Sequence, residues 1–168
     1  NAHGLPILSL GDTPGFMVGP EIEKRAQVRH VCRMFVVGSH VTVPYFTVVL
    51  RRGYGLGVMA MAKGGFHESF FTAAWPTGEF GAMGLEGAVK AGFRKELAAE
   101  ADPEKREALY NKLVAALYEQ GKAINMASYL EIDAVIDPAD TRNWILRGLK
   151  SVPPRDASAV AHNFVDPW

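Results

Sequence analysis

Apolar positions along this chain fall into two kinds of run. Leu5 to Leu10, "LPILSL", is a short and almost unbroken apolar stretch bounded by Gly4 and Gly11, and it reads as a buried strand. "GDTPGFMVGP" then reads as a loop. Over residues 21 to about 37, Ile22, Ala26, Val28, Val31, Cys32, Phe35 and Val36 recur at helical spacing and leave Glu23, Lys24, Gln27 and Arg33 for a wetter side. "VPYFTVVL" (43–50) is the clearest strand, rich in β-branched and aromatic residues. Its nearly continuous apolar run is expected where helices cover both faces of a parallel sheet. "RRGYGLGVMAMAKGG" is a glycine-rich turn feeding a short Met/Ala helix, and "FFTAAW" (70–75) is another short strand. "PTGEFGAMG" reads as a turn region, and residues 85 to about 101 as helix.

Asp102-Pro103-Glu104 is a helix start, with Asp as N-cap, Pro in the first position and an acid in the first turn. Leu109, Leu113 and Leu117, with Tyr110, Val114 and Tyr118, give that helix an apolar stripe. "EIDAVID" (131–137) contains a short strand, and Asp137-Pro138-Ala139-Asp140 starts the last helix in the same manner. The pattern predicts one domain over 1–150 and, where periodicity is lost, a tail over 151–168. Strands alternating with helices indicate α/β architecture.

A chain of 168 residues, 48% hydrophobic, suffices for one packed domain. It enters its first strand by about Leu5, which is expected of a fragment, a processed product or one half of a larger protein. Eighteen basic and 18 acidic residues balance, so no basic excess favours nucleic acid. A single cysteine, Cys32, allows no internal disulfide and fits a reducing compartment. No apolar run reaches the roughly 18 residues of a membrane span, and no signal peptide is expected.

Two motifs suggest nucleotide chemistry. Asp12-Thr13-Pro14-Gly15 matches the D-x-x-G turn of GTPases, but the phosphate loop that chemistry needs is absent. Gly121-Lys122, which reads as lying within a helix, is followed by Ala123. Gly55 to Ala60 fits G-x-G-x-x-A after a strand, and Glu79 stands about where a ribose-binding acid would. Glu79, however, follows a turn, and Arg51 and Arg52 interrupt the strand–turn junction. What both motifs share is physical: a strand ends, glycines turn the backbone, and a helix begins with unpaired N–H groups facing outward. The amides of Leu56 and Gly57 are therefore the best anion site in the chain. The five histidines show no metal-ligand spacing, so no metal is expected. There is no G-x-S-x-G elbow. Glu68, Glu79 and Glu86 could act as acids or bases, without a nameable partner; Glu86 also suits a helix dipole. Tyr54, Trp75, Met59 and Met61 could line a pocket or fill a core. Such a chain suits a reaction in which main-chain amides stabilise an enolate and the ligand supplies its own base.

As an ordered set the motifs resemble a known family. "LPILSLGDTPGF", Arg29-His30 thirteen residues before Val43-Pro44, "RRGYGLG", "AWPTGEFGAMGLEGAV" and "IDAVIDPADTR" are similar to the C-terminal half of the carboxyltransferase (β) subunit of biotin-dependent acyl-CoA carboxylases, over about residues 3 to 149. The resemblance implies a crotonase-like β/α spiral with stacked sheets and flanking helices, and a subunit of two such halves. The N-terminal half binds mostly acyl-CoA and the C-terminal half mostly carboxybiotin. The site between halves of different protomers makes oligomers obligatory, a hexamer being typical. Further implied partners are a biotin carboxyl carrier and a biotin carboxylase subunit. The implied chemistry is CO₂ release from carboxybiotin, removal of the acyl α-proton by the biotin anion, and attack of the thioester enolate on CO₂. Carried over by position, the biotin-side oxyanion hole falls on the N–H groups of Leu56 and Gly57. Thr13, Pro14, Gly15, Phe16, Tyr54 and Gly55 form the biotin cleft. Trp75, Pro76, Met83, Gly84, Glu86 and Gly87 match the motif around the next strand and helix.

Propionyl-type members read Y-G-G-A-Y-D where this chain has Tyr54 to Met59, so Met59 replaces the Asp linked to acyl-chain choice. His30-Val31-Cys32 replaces the usual H-G-A. The implied location is cytoplasmic, or the mitochondrial matrix in a eukaryote, and the isolated half is expected to be inactive. Two alternatives are a crotonase-type acyl-CoA hydratase or isomerase and a non-catalytic scaffolding half.

Overall fold

The first apolar run forms β1 (Ile7–Thr13) in the computed structural model, which describes residues 1–153. The sequence patterns fold into α1 (Pro20–Glu23), α2 (Gln27–Ser39), β2 (Tyr45–Tyr54) and α3 (Gly55–Met61), followed by β3 (Phe71–Ala74) and β4 (Glu79–Gly81). Then come α4 (Leu85–Gly92), α5 (Arg94–Ala99), α6 (Pro103–Gln120), α7 (Ala123–Ser128), β5 (Ala134–Val135), a 3₁₀ turn (Pro138–Asp140) and α8 (Thr141–Ser151). His162 and most of the 151–168 tail lie outside the described residues.

The sheet is parallel, in the order β1-β2-β3-β5, with β4 also on β2. β2 is long enough to serve two partners in succession. Phe46 to Val49 pair with β3, and Arg52 to Tyr54 pair with β4. The chain leaves the sheet at Trp75 and rejoins the same strand further on, which gives the spiral its step. Both faces of β2 are covered, as its unbroken apolar run requires. On one face Val49, Val58, Ala74, Phe80, Ala123 and Ile132 form a buried cluster. On the other, Phe46, Val48, Phe71, Ala73 and Ile136 pack with Trp144 and Ile145 of α8.

Several elements depart from the sequence reading. Arg51 and Arg52 do not interrupt the strand. β1 shifts register between Gly11 and Thr13, and Asp12 accepts bonds from the Arg52 amide (3.2 Å), Arg52 Nε (3.0 Å) and Arg51 Nη2 (3.2 Å). These bonds, that from the Arg52 side chain foremost, hold the Asp12 carboxyl below its ordinary pKa. The helix expected over 21 to 37 breaks where Ala26 takes a left-handed conformation (φ 56°). The one expected over 85 to 101 breaks at Gly92-Phe93, where Phe93 has φ −108° and ψ 26°. Beyond the first break the expected faces are not kept: Val28, Cys32 and Val36 are exposed, while Gln27 and Arg33 are half-buried. The "PTGEFGAMG" turn region contains β4, and Gly121-Lys122 joins α6 to α7 rather than lying inside a helix. α8 continues to Ser151, one residue past the expected domain edge.

Asp102-Pro103 opens α6 as read, whereas Asp137-Pro138 opens the 3₁₀ turn and α8 begins only at Thr141, with no capping bond from the Asp140 side chain. Asp102 accepts from the Glu104 amide at 2.9 Å, and Asp137 from the Ala139 amide at 2.8 Å. Among the described residues no helix is long and apolar enough to cross a membrane.

Candidate active site at the β1–β2 corner

Because β1 and β2 are parallel, their C-terminal ends lie together at one edge of the sheet, the edge where open α/β sheets bind ligands. β2 runs directly into α3 through Tyr54, whose extended backbone caps the helix. Gly55 has φ +57°, and a Cβ there would stand 2.7 Å from the Ala82 carbonyl oxygen. Only glycine makes this turn without strain. Gly57, one turn into the corner, has its would-be Cβ 2.8 Å from Gly15 Cα and 3.3 Å from Thr13 Oγ1. The Thr13-Pro14-Gly15 turn therefore sits directly on the first turn of α3. That turn is braced by its own bond, the Gly15 amide donating to Thr13 Oγ1 at 3.2 Å.

Leu56 is 59% exposed, so its bulk leaves the corner open rather than filling it. Its amide and that of Gly57 lie in the first turn, where no helical carbonyl stands four residues back. Among the described residues, neither amide donates to an acceptor on another element. The arrangement can hold negative charge on a bound group with main-chain dipoles alone.

The predicted residues divide between two sides of α3. Thr13, Gly15 and Gly57 meet on one side, with Pro14 exposed and Phe16 half-buried beside them. Gly55, Leu56 and Met59 line an open cleft of about 600 Å³ on the other, together with Phe66, Phe80, Leu85, Ala88, Leu117 and Met126. No charged side chain lines this cavity.

Tyr54 is buried and donates its hydroxyl to Glu79 Oε2 at 2.9 Å. Burial first, then the carboxylate, pushes the Tyr54 phenol well above its ordinary pKa, so it stays a donor. Tyr118 of α6 donates to Glu86 Oε1 at 2.8 Å, and that bond raises its own pKa. The Glu86 carboxyl is held low, first by its own main-chain N–H at the start of α4 and then by Tyr118. The partners that sequence reasoning left unnamed for Glu79 and Glu86 are thus two tyrosines. Tyr118 lies on the apolar stripe of α6 but 32 residues from Glu86, too far for any local signal.

Of the second motif, Trp75 faces the other side of the sheet, where its indole donates to Thr141 Oγ1 at 2.9 Å and packs with the Phe46 cluster. Pro76, Met83, Gly84 and Gly87 do not line the cavity. Met61 presents its carbonyl to the Tyr45 hydroxyl at 2.7 Å. Among the described residues no three of His, Cys, Asp and Glu gather as a metal site.

A parallel β/α spiral with main-chain donors at a glycine-locked corner defines a crotonase-like fold, and the solved structures that resemble it are carboxyltransferases of that fold. The chain belongs to the carboxyl transferase domain family, which it matches over residues 1–157. It is 55% identical to a single-chain, multi-domain long-chain acyl-CoA carboxylase of known structure, with a TM-score of 0.74 over 86% of this chain and 14% of that one. It is 36% identical to the methylmalonyl-CoA carboxyltransferase 12S subunit of Propionibacterium freudenreichii subsp. shermanii, over 89% of this chain and 28% of the relative. A crystal structure of transcarboxylase 12S, described as a hexamer with methylmalonyl-CoA bound, matches 94% of this chain and 31% of that chain at 33% identity and a TM-score of 0.76. The chain thus spans less than a third of the length of these relatives.

Proposed function

We propose that this chain supplies the carboxybiotin side of the carboxyltransferase site of a biotin-dependent acyl-CoA carboxylase. In it, CO₂ passes from carboxybiotin to the α-carbon of an acyl-CoA. The observation that carries this reading is the corner itself. Thr13 and Gly15 pack against Gly57, and two first-turn amides there have no acceptor on another described element. The donor set fits the cofactor, whose ureido oxygen needs hydrogen-bond donors and no charged partner.

When bound, carboxybiotin supplies the CO₂ and then the base that takes the acyl α-proton. The residues of this chain do the rest of the work assigned here. The N–H groups of Leu56 and Gly57 hold the developing oxyanion. Thr13, Pro14, Gly15 and Phe16 wall the cleft beside them, and Tyr54 and Gly55 set the angle at which α3 leaves the sheet. Met59, on the cavity side of the same helix, selects the acyl group. The long-chain substrate named for the 55% identical relative supports a chain longer than propionyl.

The acyl-CoA side comes from an N-terminal carboxyltransferase half on the same or a companion chain, and biotin arrives on a carrier protein. The hexamer described for transcarboxylase 12S supports a homo-oligomer. A cytoplasmic setting agrees with the single exposed Cys32.

The test pairs the complete subunit, N-terminal half included, with malonyl-CoA, methylmalonyl-CoA and the carboxylated thioesters of longer acyl chains. Decarboxylation is measured with and without free biotin. Activity that requires biotin is expected. Turnover of the acyl-CoA without biotin would favour the hydratase or isomerase class, and inactivity in every pairing would favour a scaffold.

A further inference from the structure

We infer that Glu79 is a positioning residue for the glycine corner: by holding the Tyr54 hydroxyl it fixes where α3 leaves the sheet, and Tyr118 and Glu86 brace that pair from α6 and α4. The inference rests on the carboxyltransferase reading above and adds what keeps its proposed oxyanion donors in place.

The corner has no slack of its own. Tyr54 ends β2 and runs directly into Gly55, whose would-be Cβ stands 2.7 Å from the Ala82 carbonyl oxygen just past β4. Where β4 sits against β2 therefore decides where the Leu56 and Gly57 amides sit. The ladder between the two strands is only three residue pairs long, Arg52 with Glu79, Gly53 with Phe80 and Tyr54 with Gly81. Glu79 and Tyr54 are diagonal neighbours on that ladder and share one face of the sheet. Their 2.9 Å bond ties the first residue of β4 to the last residue of β2. β4 is anchored from behind as well, the Phe80 amide donating to the Gly121 carbonyl at 2.7 Å.

The chemistry of the pair suits a rigid tie. Tyr54 is 4% exposed, so its hydroxyl cannot turn to water instead. A phenol that donates to a carboxylate makes a charge-assisted bond, stronger than a neutral one. Among the described residues that hydroxyl is the one side-chain hydrogen-bond partner of Glu79. Burial first and Glu79 next raise the Tyr54 pKa, and Tyr118 adds to the shift. At Tyr118 the Glu86 bond comes first, and Glu79 adds to it. The four groups thus act on one another as one cluster drawn from β2, β4, α4 and α6.

The experiment uses the complete subunit, N-terminal half included. It measures kcat for biotin-dependent decarboxylation well below the melting temperature, and amide hydrogen exchange over 55–61 without biotin. Glu79→Leu keeps most of the side-chain bulk and removes the acceptor. It should lower kcat about 10- to 100-fold, the scale of a displacement of up to about 1 Å at a reacting site. Exchange over 55–61 should quicken about tenfold while 141–151 exchanges as in the wild type. Glu79→Gln still offers an oxygen to the Tyr54 hydroxyl and should keep both readouts near wild type. Tyr54→Phe should match Glu79→Leu, and the double variant should be no slower than either single, because both remove the same bond. Should Glu79→Leu not fold, Tyr54→Phe carries the same test. Trp75→Phe deletes a side-chain bond on the other face of the sheet and should leave kcat and the 55–61 exchange unchanged. Full kcat in a folded Glu79→Leu, additive losses in the double variant, or a Glu79→Gln as slow as Glu79→Leu overturns the inference. A wild type without biotin-dependent turnover, but with the expected exchange pattern in its variants, removes the carboxyltransferase reading and leaves the tie. A wild type that turns over beside an indifferent Glu79→Leu removes the tie and leaves the carboxyltransferase.

Discussion

Gly55→Ala is the substitution whose cost can be worked most directly from the corner. The new methyl would stand 2.7 Å from the Ala82 carbonyl oxygen, a backbone atom that cannot swing aside. The φ of +57° must also be kept by a residue with a Cβ, at about 1–2 kcal/mol. Relieving the contact by moving the α3 start away from β4 costs about 1–3 kcal/mol more. The sum, about 2–5 kcal/mol, corresponds to a melting temperature lower by roughly 5–15 °C for a domain of this size. The same shift moves the Leu56 and Gly57 amides, and a displacement near 1 Å at a reacting site costs about 10²-fold in rate. Gly87→Ala is the control. Gly87 lies in α4 with nothing within 4 Å of its would-be Cβ, so alanine there is neutral or stabilises by about 0.5–1 kcal/mol. Thermal melts and biotin-dependent decarboxylation rates of both variants are compared in the complete subunit. If Gly55→Ala melts and turns over like Gly87→Ala, the left-handed glycine does not set this corner.

Tyr54→Phe removes the hydroxyl that Glu79 accepts at 2.9 Å and leaves that carboxylate short of a partner. We expect a loss of about 1–3 kcal/mol, read as a lower melting temperature, and an unchanged melt would make the bond dispensable. Asp12 carries a pH dependence of definite sign. Its folded pKa is depressed, so the stability it contributes is fully present above the unfolded carboxylate value near 4 and is lost as pH falls through the folded one. Melts of wild type and Asp12→Asn should therefore differ at neutral pH and converge in acid. A difference that persists unchanged in strong acid would contradict the Arg51/Arg52 pairing. Trp75→Phe deletes the indole bond to Thr141. It should lower stability by about 1 kcal/mol without altering the rate, since the residue faces α8 and not the corner; a rate loss in a fully folded variant would contradict that placement.

What could be read from the chain was whatever neighbouring residues encode. The continuous apolar run of β2 announces a strand covered on both faces, and Asp102-Pro103 announces α6, whereas Asp137-Pro138 announces only the 3₁₀ turn that leads into α8. The strand–glycine–helix order pointed to the amides of Leu56 and Gly57 before any coordinates. What stayed hidden depends on distant partners. Arg51 and Arg52 look like a strand end until Asp12, some 40 residues away, is seen to bond both. β4 is three residues long and exists because β2 outlasts β3. The tyrosine partners of Glu79 and Glu86 come from other elements. The cavity is lined from β2, α3, β4, α4, α6 and α7 and the loops between them, so no single stretch of sequence carries it.

The central claim is that two main-chain N–H groups hold charge at this corner, and Leu56→Pro tests it most directly. It deletes one donor in the first helical turn, where proline is tolerated, and replaces an exposed side chain without pressing a new Cβ against Gly15. The measurement is kcat for biotin-dependent decarboxylation by the complete subunit, with a melt to certify folding. A fall of about 10²–10³-fold in a folded variant is the predicted result. A folded Leu56→Pro enzyme that keeps the full rate would place the oxyanion elsewhere.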